Sequence, residues 1–356
     1  MQADIPLHII RAGLEEGLGR KVTELTILQR FARQTSTVLS IRVMLSGGEP
    51  MRVWAKMLRG TRNAELKVAR TARDFDLHAL LHRTFGTTGP FRVPRPLFHS
   101  PEHRLIVTGH VDGYRFQDRI KRDARGFASS RRIAGLQTDC HRAGQWLQAF
   151  QAATAEHAPG VGAGWNPQPP KTTSLIVEQT EERLAALLDE NPAGLGGLDR
   201  DRVVAFLHER QDRAGPDPDP MCSIHGDFFP GNLITAPDSI CAIDFSSCTW
   251  GSRWFDASYF VFQLETLALK PWFRNSVITR LAESFLAGYG ENLTHRAFWQ
   301  ASPTLEILLV CHFVTRLLSL TPSAHRHDPR SLYRRQLTRG IRHSLSRHVE
   351  SVHQGI

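Results

Sequence analysis

The run Ile224-His225-Gly226-Asp227-Phe228-Phe229-Pro230-Gly231-Asn232-Leu233-Ile234, followed by Ala242-Ile243-Asp244-Phe245, constrains this chain more than any other part of it. A short apolar run ends at Ile224 and feeds a polar loop. Leu233-Ile234-Thr235 then has strand character, Ala236-Pro237-Asp238-Ser239 reads as a turn, and Ile240-Cys241-Ala242-Ile243 as a returning strand. A loop followed by a hairpin brings its two ends together. Asn232 opens the hairpin and Asp244 closes it, so Asp227, Asn232 and Asp244 are expected to converge on one point.

Two hard oxygen ligands beside a separate carboxylate suit phosphoryl transfer from ATP. The ligands hold Mg²⁺, and the carboxylate orients an acceptor hydroxyl and takes its proton. Protein kinases carry H-R-D-x-x-x-x-N with a later D-F-G at this place; here the text is H-G-D-x-x-x-x-N, then D-F-S. The stretch resembles the aminoglycoside phosphotransferase and choline kinase family, small-molecule relatives of protein kinases in which Gly commonly replaces that Arg. Pro230-Gly231 before Asn232 matches those relatives too. The resemblance implies Asp227 as catalytic base, Asn232 and Asp244 as magnesium ligands, and His225 as a structural support of the loop. It also implies that Asp256, in Trp254-Phe255-Asp256, buttresses the loop, and that the donor is ATP or GTP.

The chain has 356 residues, enough for two lobes, and its 41% hydrophobic and 22% charged residues are those of an ordinary globular protein. A net charge of +9 and a pI near 9.7 attract anions in general, from nucleotides and phosphorylated metabolites to acidic membranes. No RNP motif, zinc finger or basic zipper accompanies the charge, which argues against nucleic acid. Five cysteines, an odd number without a C-x-x-C pair, read as reduced, buried thiols. With no basic leader at Met1-Gln2-Ala3-Asp4 and no uninterrupted apolar run of membrane-span length, the expected location is the cytoplasm.

Residues 7–20 have helical spacing, and 23–58 change to an alternating, β-branched pattern that predicts three antiparallel strands. Lys56 follows Val53-Trp54-Ala55 on the third strand, where a kinase-like fold presents the lysine that contacts the α- and β-phosphates. Between the first two strands, Arg33-Gln34-Thr35-Ser36-Thr37 would cover the phosphates. It lacks glycine, so Ser36 and Thr37 are expected to offer hydroxyls and backbone N–H groups instead. Residues 63–84 read as a helix. The family places there a Glu that pairs with the strand lysine; this chain aligns Asp74 at that place, one methylene shorter, with Asp76 and Glu65 as alternatives. Strands at 97–99 and 105–108 precede a hinge-like Gly109-His110-Val111-Asp112-Gly113.

Beyond the hinge, helices are expected at 132–154, 173–190 and 200–211, separated by Gly/Pro-rich loops at 159–170 and 215–220 where acceptor specificity would be built. Further helices follow at 256–270, 272–290 and 303–320. In 332–352, Tyr333, Leu337, Ile341, Leu345 and Val349 recur at helical spacing among arginines. That pattern serves either a last helix packed on the large lobe or an interfacial helix that touches anionic membrane.

These readings add up to an α+β, two-lobed, protein-kinase-like fold. A nucleotide-binding lobe of antiparallel strands and one main helix occupies 1–107, and a mainly helical lobe with the catalytic loop and acceptor site occupies 108–356. The implied activity is Mg²⁺-dependent transfer of the γ-phosphate of ATP or GTP to a small-molecule hydroxyl, and the basic charge leans the acceptor towards a sugar or glycan precursor rather than a polycationic antibiotic. A pseudokinase-type nucleotide-binding module is the alternative, favoured by Asp74 and the glycine-free loop and opposed by the intact Asp227, Asn232 and Asp244.

Overall fold

The computed structural model describes residues 5–33, 35–60, 63–126, 128–155, 170–190, 199–216, 219–320 and 331–353. Most of the 159–170 loop, part of the 215–220 loop and Gln34 lie outside them.

The small lobe begins with α1 (Leu7–Leu18), which ends at Gly19 with φ of 62°, a left-handed stop that glycine takes without strain. The strands β1 (Val22–Ala32), β2 (Ser36–Leu45) and β3 (Met51–Leu58) follow, then α2 (Ala64–Phe85). β4 (Phe91–Arg92), β5 (Pro96–Ser100) and β6 (Leu105–Gly109) complete this half. Five strands form an antiparallel sheet in the order β1-β2-β3-β6-β5. Because side chains alternate across a strand, Leu39, Ile41 and Val43 of β2 and Val53, Ala55 and Met57 of β3 fall on one face and pack with Ile10 and Leu14 of α1. The other face carries Lys56, directly opposite Val38 and Ile106.

The large lobe runs through β7 (Tyr114–Arg115), α3 (Phe116–Asp123), α4 (Ser130–Thr154), α5 (Thr173–Glu190), α6 (Arg200–Ala214) and β8 (Met221–Ile224). It continues with β9 (Leu233–Ala236), β10 (Ser239–Ala242), β11 (Thr249–Ser252), α7 (Trp254–Ala268), α8 (Asn275–Gly288), α9 (His295–Trp299), α10 (Pro303–Leu320) and α11 (Ser331–His353). The predicted hairpin is β9–β10, with Leu233 opposite Ala242. It sits in a four-stranded sheet, β4-β10-β9-β7, so the segment before β5 reaches across to the large lobe. β8 pairs with β11, which closes the two ends of the catalytic segment on each other. The sequence reading did not anticipate α3, β7 or β11, whose short runs carry too few residues to show a period.

Under the hairpin lies an aromatic stack. Trp146 of α4 is flanked by Phe150 at 5.5 Å and by Phe228 at 5.6 Å between ring centroids, with Phe245 at 6.1 Å. Phe228 and Phe245 directly follow Asp227 and Asp244 in sequence, so the stack fixes the backbone from which both carboxylates project. The alanine-like face of α4 meets α8 at very close range, where a Cβ on Gly144 would stand 2.2 Å from the Phe285 carbonyl and one on Gly288 1.9 Å from that of His141.

α10 has the length and mean hydropathy, 1.4, of a membrane span. Most of it is buried at the centre of the large lobe, however, which makes it a core helix. Leu337, Ile341, Leu345 and Val349 of α11 are likewise buried, and α11 packs on α6 and α10. Its apolar stripe is used for packing, and Arg339 and Arg347 face solvent.

Candidate active site

Lys56 reaches out of β3 and gathers three oxygen groups. Its Nζ donates to Asp244 Oδ1, to Ser246 Oγ at 3.2 Å and to Asp74 Oδ2 at 3.4 Å. Burial alone would lower the lysine pKa, but Asp244 and Asp74 outweigh it and hold the pKa above its ordinary value, so the ammonium persists. Of the three acids weighed for the lysine's partner, Asp74 is the one in contact, whereas Asp76 and Glu65 face solvent.

The shorter side chain works because α2 is bolted to the segment after Asp244. Asp74 Oδ1 accepts the Phe245 N–H at 3.0 Å, His78 Nδ1 lies 3.1 Å from the same oxygen, and Arg73 donates to the Cys248 carbonyl. Burial pushes Asp74 towards its neutral form, but Lys56 and then His78 more than offset this and leave it ionised.

On the large-lobe side the catalytic loop is held from below. Both oxygens of the buried Asp256 accept backbone N–H groups, from His225 at 2.5 Å and from Gly226 at 2.9 Å. Gly226 has φ of 78°, and a Cβ there would stand 2.3 Å from the Ser247 carbonyl. Both facts demand glycine in the His-Gly-Asp text. Burial pushes the Asp256 carboxyl up to about 7 despite those two donors. It pushes His225 down to about 4, so a neutral imidazole donates from Nε2 to the Ile243 carbonyl at 3.2 Å. This contact ties the start of the loop to the end of the hairpin.

Asn232 Nδ2 donates to the Asp227 carbonyl at 2.9 Å and to Asp227 Oδ2 at 2.8 Å. That spends the amide NH₂ and leaves the amide oxygen as an acceptor. Asp244 stands at φ of 71°, a left-handed conformation uncommon for a residue with a side chain and enriched at functional sites. Its Oδ1 is taken by Lys56 and by Ser246 Oγ at 2.6 Å, which leaves Oδ2. Burial opposes its charge, yet Lys56 and Ser246 hold it well below the usual carboxylate range. Burial instead pushes Asp227 up to about 6, with the negative Asp244 adding and Asn232, Lys56 and Tyr259 opposing. Two neighbouring carboxylates are thereby tuned apart, one fixed as an anion and one near the pH where it exchanges a proton.

Among the described residues no three His, Cys, Asp or Glu side chains form a metal cluster. The oxygen pair from Asn232 and Asp244 fits Mg²⁺ all the same, since that ion takes few protein ligands and fills its octahedron with water and phosphate oxygens.

Ser36 and Thr37 depart from expectation. Both belong to β2 rather than to a covering loop, and the turn is pinned by Arg33 N donating to Ser36 O at 2.8 Å and Arg59 N to Thr35 O at 2.8 Å. Thr37 is opposite Met57 on the core face, away from Lys56, and its hydroxyl is fully buried without a partner. Ser36 shares the Lys56 face. The error was one of register: a shift of one residue along a strand reverses the side a side chain takes. Sequence reasoning also missed Ser246, His78, Trp54 and Tyr259. Trp54 lies on the Lys56 face two residues away, donates from Nε1 to His110 Nδ1 at 3.0 Å and carries the Arg52 guanidinium 5.3 Å from its ring. The two-residue spacing from Lys56 on a strand was the available signal for Trp54, and polar residues at buried helical positions were the signal for His78.

The sequence profile described as the APH phosphotransferase enzyme family matches residues 58–299, which include the whole catalytic loop and hairpin. The chain belongs to that phosphotransferase family. Solved structures agree on the fold. A structure described as a putative aminoglycoside phosphotransferase from Ralstonia eutropha JMP134 is 11% identical with a TM-score of 0.60, over 98% of this chain and 99% of that one. An amicoumacin kinase in complex with AMP-PNP and Ca²⁺ is 14% identical with a TM-score of 0.58, covering 96% of this chain and 94% of its own. The ethanolamine kinase of Plasmodium vivax is 14% identical with a TM-score of 0.52, covering 89% and 81%. No curated protein matches the chain in sequence.

Proposed function

We propose that this phosphotransferase moves the γ-phosphate of ATP, or of GTP in its place, to a hydroxyl of a small molecule such as a sugar or glycan precursor. The observation that carries the reading is the convergence of Lys56, Asp227, Asn232 and Asp244 where the two lobes meet, with the charge states of the lysine and the two aspartates set by named neighbours. Family membership and the kinase structures that share the fold support a small-molecule acceptor.

Asp227 orients the acceptor hydroxyl and receives its proton as the oxygen bonds to the γ-phosphorus and the bond to the β,γ-bridging oxygen breaks, releasing the nucleoside diphosphate. Lys56, anchored by Asp74, holds the non-transferred phosphates. Asn232 and Asp244 are the residues that would hold Mg²⁺, whose chemistry is to neutralise charge developing on the phosphate oxygens. His225 and Asp256 keep the loop in place without touching substrate. Ser36, the first residue of β2 and on the Lys56 face of the strand, would add a hydroxyl. Contact of α11 with anionic membrane would be electrostatic, since its apolar stripe is buried. Flotation with acidic vesicles that survives 0.5 M salt, a concentration chosen to shrink the screening length to roughly 4 Å, would contradict that.

The test is mass spectrometry of aqueous and lipid extract incubated with Mg·ATP and either wild-type protein or Asp227→Asn. A species should gain one phosphate with wild type only, and the variant's turnover should fall by roughly 10²- to 10⁴-fold. Near wild-type turnover would remove Asp227 from the role. Mg·ATP binding without any phosphorylated species would favour a nucleotide-binding module instead.

A further inference from the structure

Two exposed aromatic side chains flank α3, and each has a guanidinium from the end of that helix against its ring. Tyr114 of β7 is 65% exposed, with the Arg122 guanidinium 5.8 Å from the ring centre. Trp272, in the turn between α7 and α8, is 43% exposed, with that of Arg125 5.9 Å away. The turn is fastened to the end of α3. The Gly126 N–H donates to the Trp272 carbonyl at 2.9 Å, and Arg125 forms a backbone bridge to Phe273, which is buried. Pro271 and Trp272 therefore project as an apolar tip from a fixed base, between Lys270 and Arg274 in the chain.

The surroundings are basic. Residues 112–132 hold seven Arg or Lys against three Asp, and 269–276 add Lys270 and Arg274 with no acid. Asp123 pairs with Arg122 at 2.8 Å and with Arg119 at 3.8 Å, and Arg119 also meets Asp139. Both of these acids are buried, so they brace the arginines from beneath and the outward layer is cationic. Arg125, Arg131, Arg132 and Arg274 are exposed as well, against Asp112 and Asp118 as the exposed acids of the two segments. This face adjoins the catalytic loop, because β7 pairs with β9 and Arg115 Nε donates to the Gly231 carbonyl at 2.9 Å.

An exposed Trp and Tyr among arginines suit a lipid interface, where the rings settle at headgroup level while the cations meet anionic phosphates. A nucleic acid would use the same charge but would stack its bases on the rings, and a guanidinium already lies against each. An apolar turn tip also gains nothing on a phosphate backbone. We propose that this face docks on a bilayer containing anionic phospholipid, with Trp272 entering the headgroup layer and Arg122, Arg125, Lys270 and Arg274 on the lipid phosphates. Docking is independent of the phosphotransferase reading. It brings the catalytic loop to the lipid surface, where a hydroxyl carried by a lipid would stand.

Vesicles of phosphatidylcholine alone, and of phosphatidylcholine with an equal part of phosphatidylglycerol, test this with the full-length protein. It should float with the second kind only. Trp272→Ala combined with Arg125→Gln and Arg274→Gln should weaken partition at least about tenfold, with Mg·ADP affinity and melting temperature unchanged. Equal flotation with both kinds, or flotation with neither, overturns the proposal. So does a triple variant that floats like wild type while Arg339→Gln with Arg347→Gln releases the protein, since the contact would then lie on α11. Hydrogen exchange on wild-type protein gives a reading that needs no variant: anionic vesicles should slow amide exchange in residues 111–126 and 269–276, and protection confined to other segments overturns the proposal. A single-stranded oligonucleotide that binds and is released by the same triple substitution, with no vesicle binding, would assign the face to nucleic acid and defeat it.

Discussion

Asp74 shows how one methylene can be absorbed by its surroundings. A carboxylate that is shorter than the family's Glu still reaches Lys56 because its second oxygen is fixed by the Phe245 N–H and because His78 holds it from behind. Asp74→Asn would keep an acceptor for that N–H and lose only the charge. Removing the charge-assisted contact should cost about 1.5–3 kcal/mol, read as a tenfold to hundredfold fall in kcat/KM for ATP. A kinetic change below twofold would show that Asp244 alone positions the lysine. The same residue-scale reasoning locates the failure of Thr37, whose hydroxyl is turned into the small-lobe core by strand register.

At the scale of elements, the site depends on two tight fits. Asp256 at the start of α7 can cap the loop only because Gly226 lets the chain pass the Ser247 carbonyl. Further back, α4 and α8 approach so closely that Gly144 and Gly288 meet backbone, and α4 carries the Trp146 and Phe150 rings that support Phe228 and Phe245. Gly288→Ala should therefore destabilise the protein by about 1–3 kcal/mol in denaturant melts, by forcing the helices apart. A variant as stable as wild type would mean that the helices separate without cost. Gly226→Ala should abolish turnover with a smaller loss of stability, since its clash is confined to the loop; an active Gly226→Ala enzyme would contradict the Cβ argument.

The whole molecule has two apolar cores, and the buried histidines of the larger one make its stability depend on pH. Burial holds His312 down to about 3, with Lys171 and Arg183 adding, and His348 down to about 4, with Arg210 adding. Their folded values lie below the unfolded value near 6.5, so the unfolded chain binds the extra protons. The stability they contribute is complete above pH 6.5 and is lost as pH falls from there towards about 4, at about 1.4 kcal/mol per group per pH unit. The melting temperature should drop between pH 7 and pH 5, and the drop should shrink in a His312→Gln, His348→Gln double variant. An unchanged drop would place the acid sensitivity elsewhere.

The sequence alone determined the catalytic hairpin, the fold class and the place of a lysine on the third strand, because each rests on local spacing. Asp227, Asn232 and Asp244 are close in sequence, and a loop with a hairpin admits few ways to join them. Helices at 132–154, 173–190 and 303–320 were legible for the same reason: long periodic segments show which face is buried. Tertiary structure decided what depends on distant partners. Asp74 rather than Asp76 meets Lys56 because α2 is rotated by its contacts with residues 245–248, 171–175 positions away in the chain. Spacing along the chain carries information about neighbours within a turn or a hairpin; charge complementarity between elements exists only once the lobe has closed on its core.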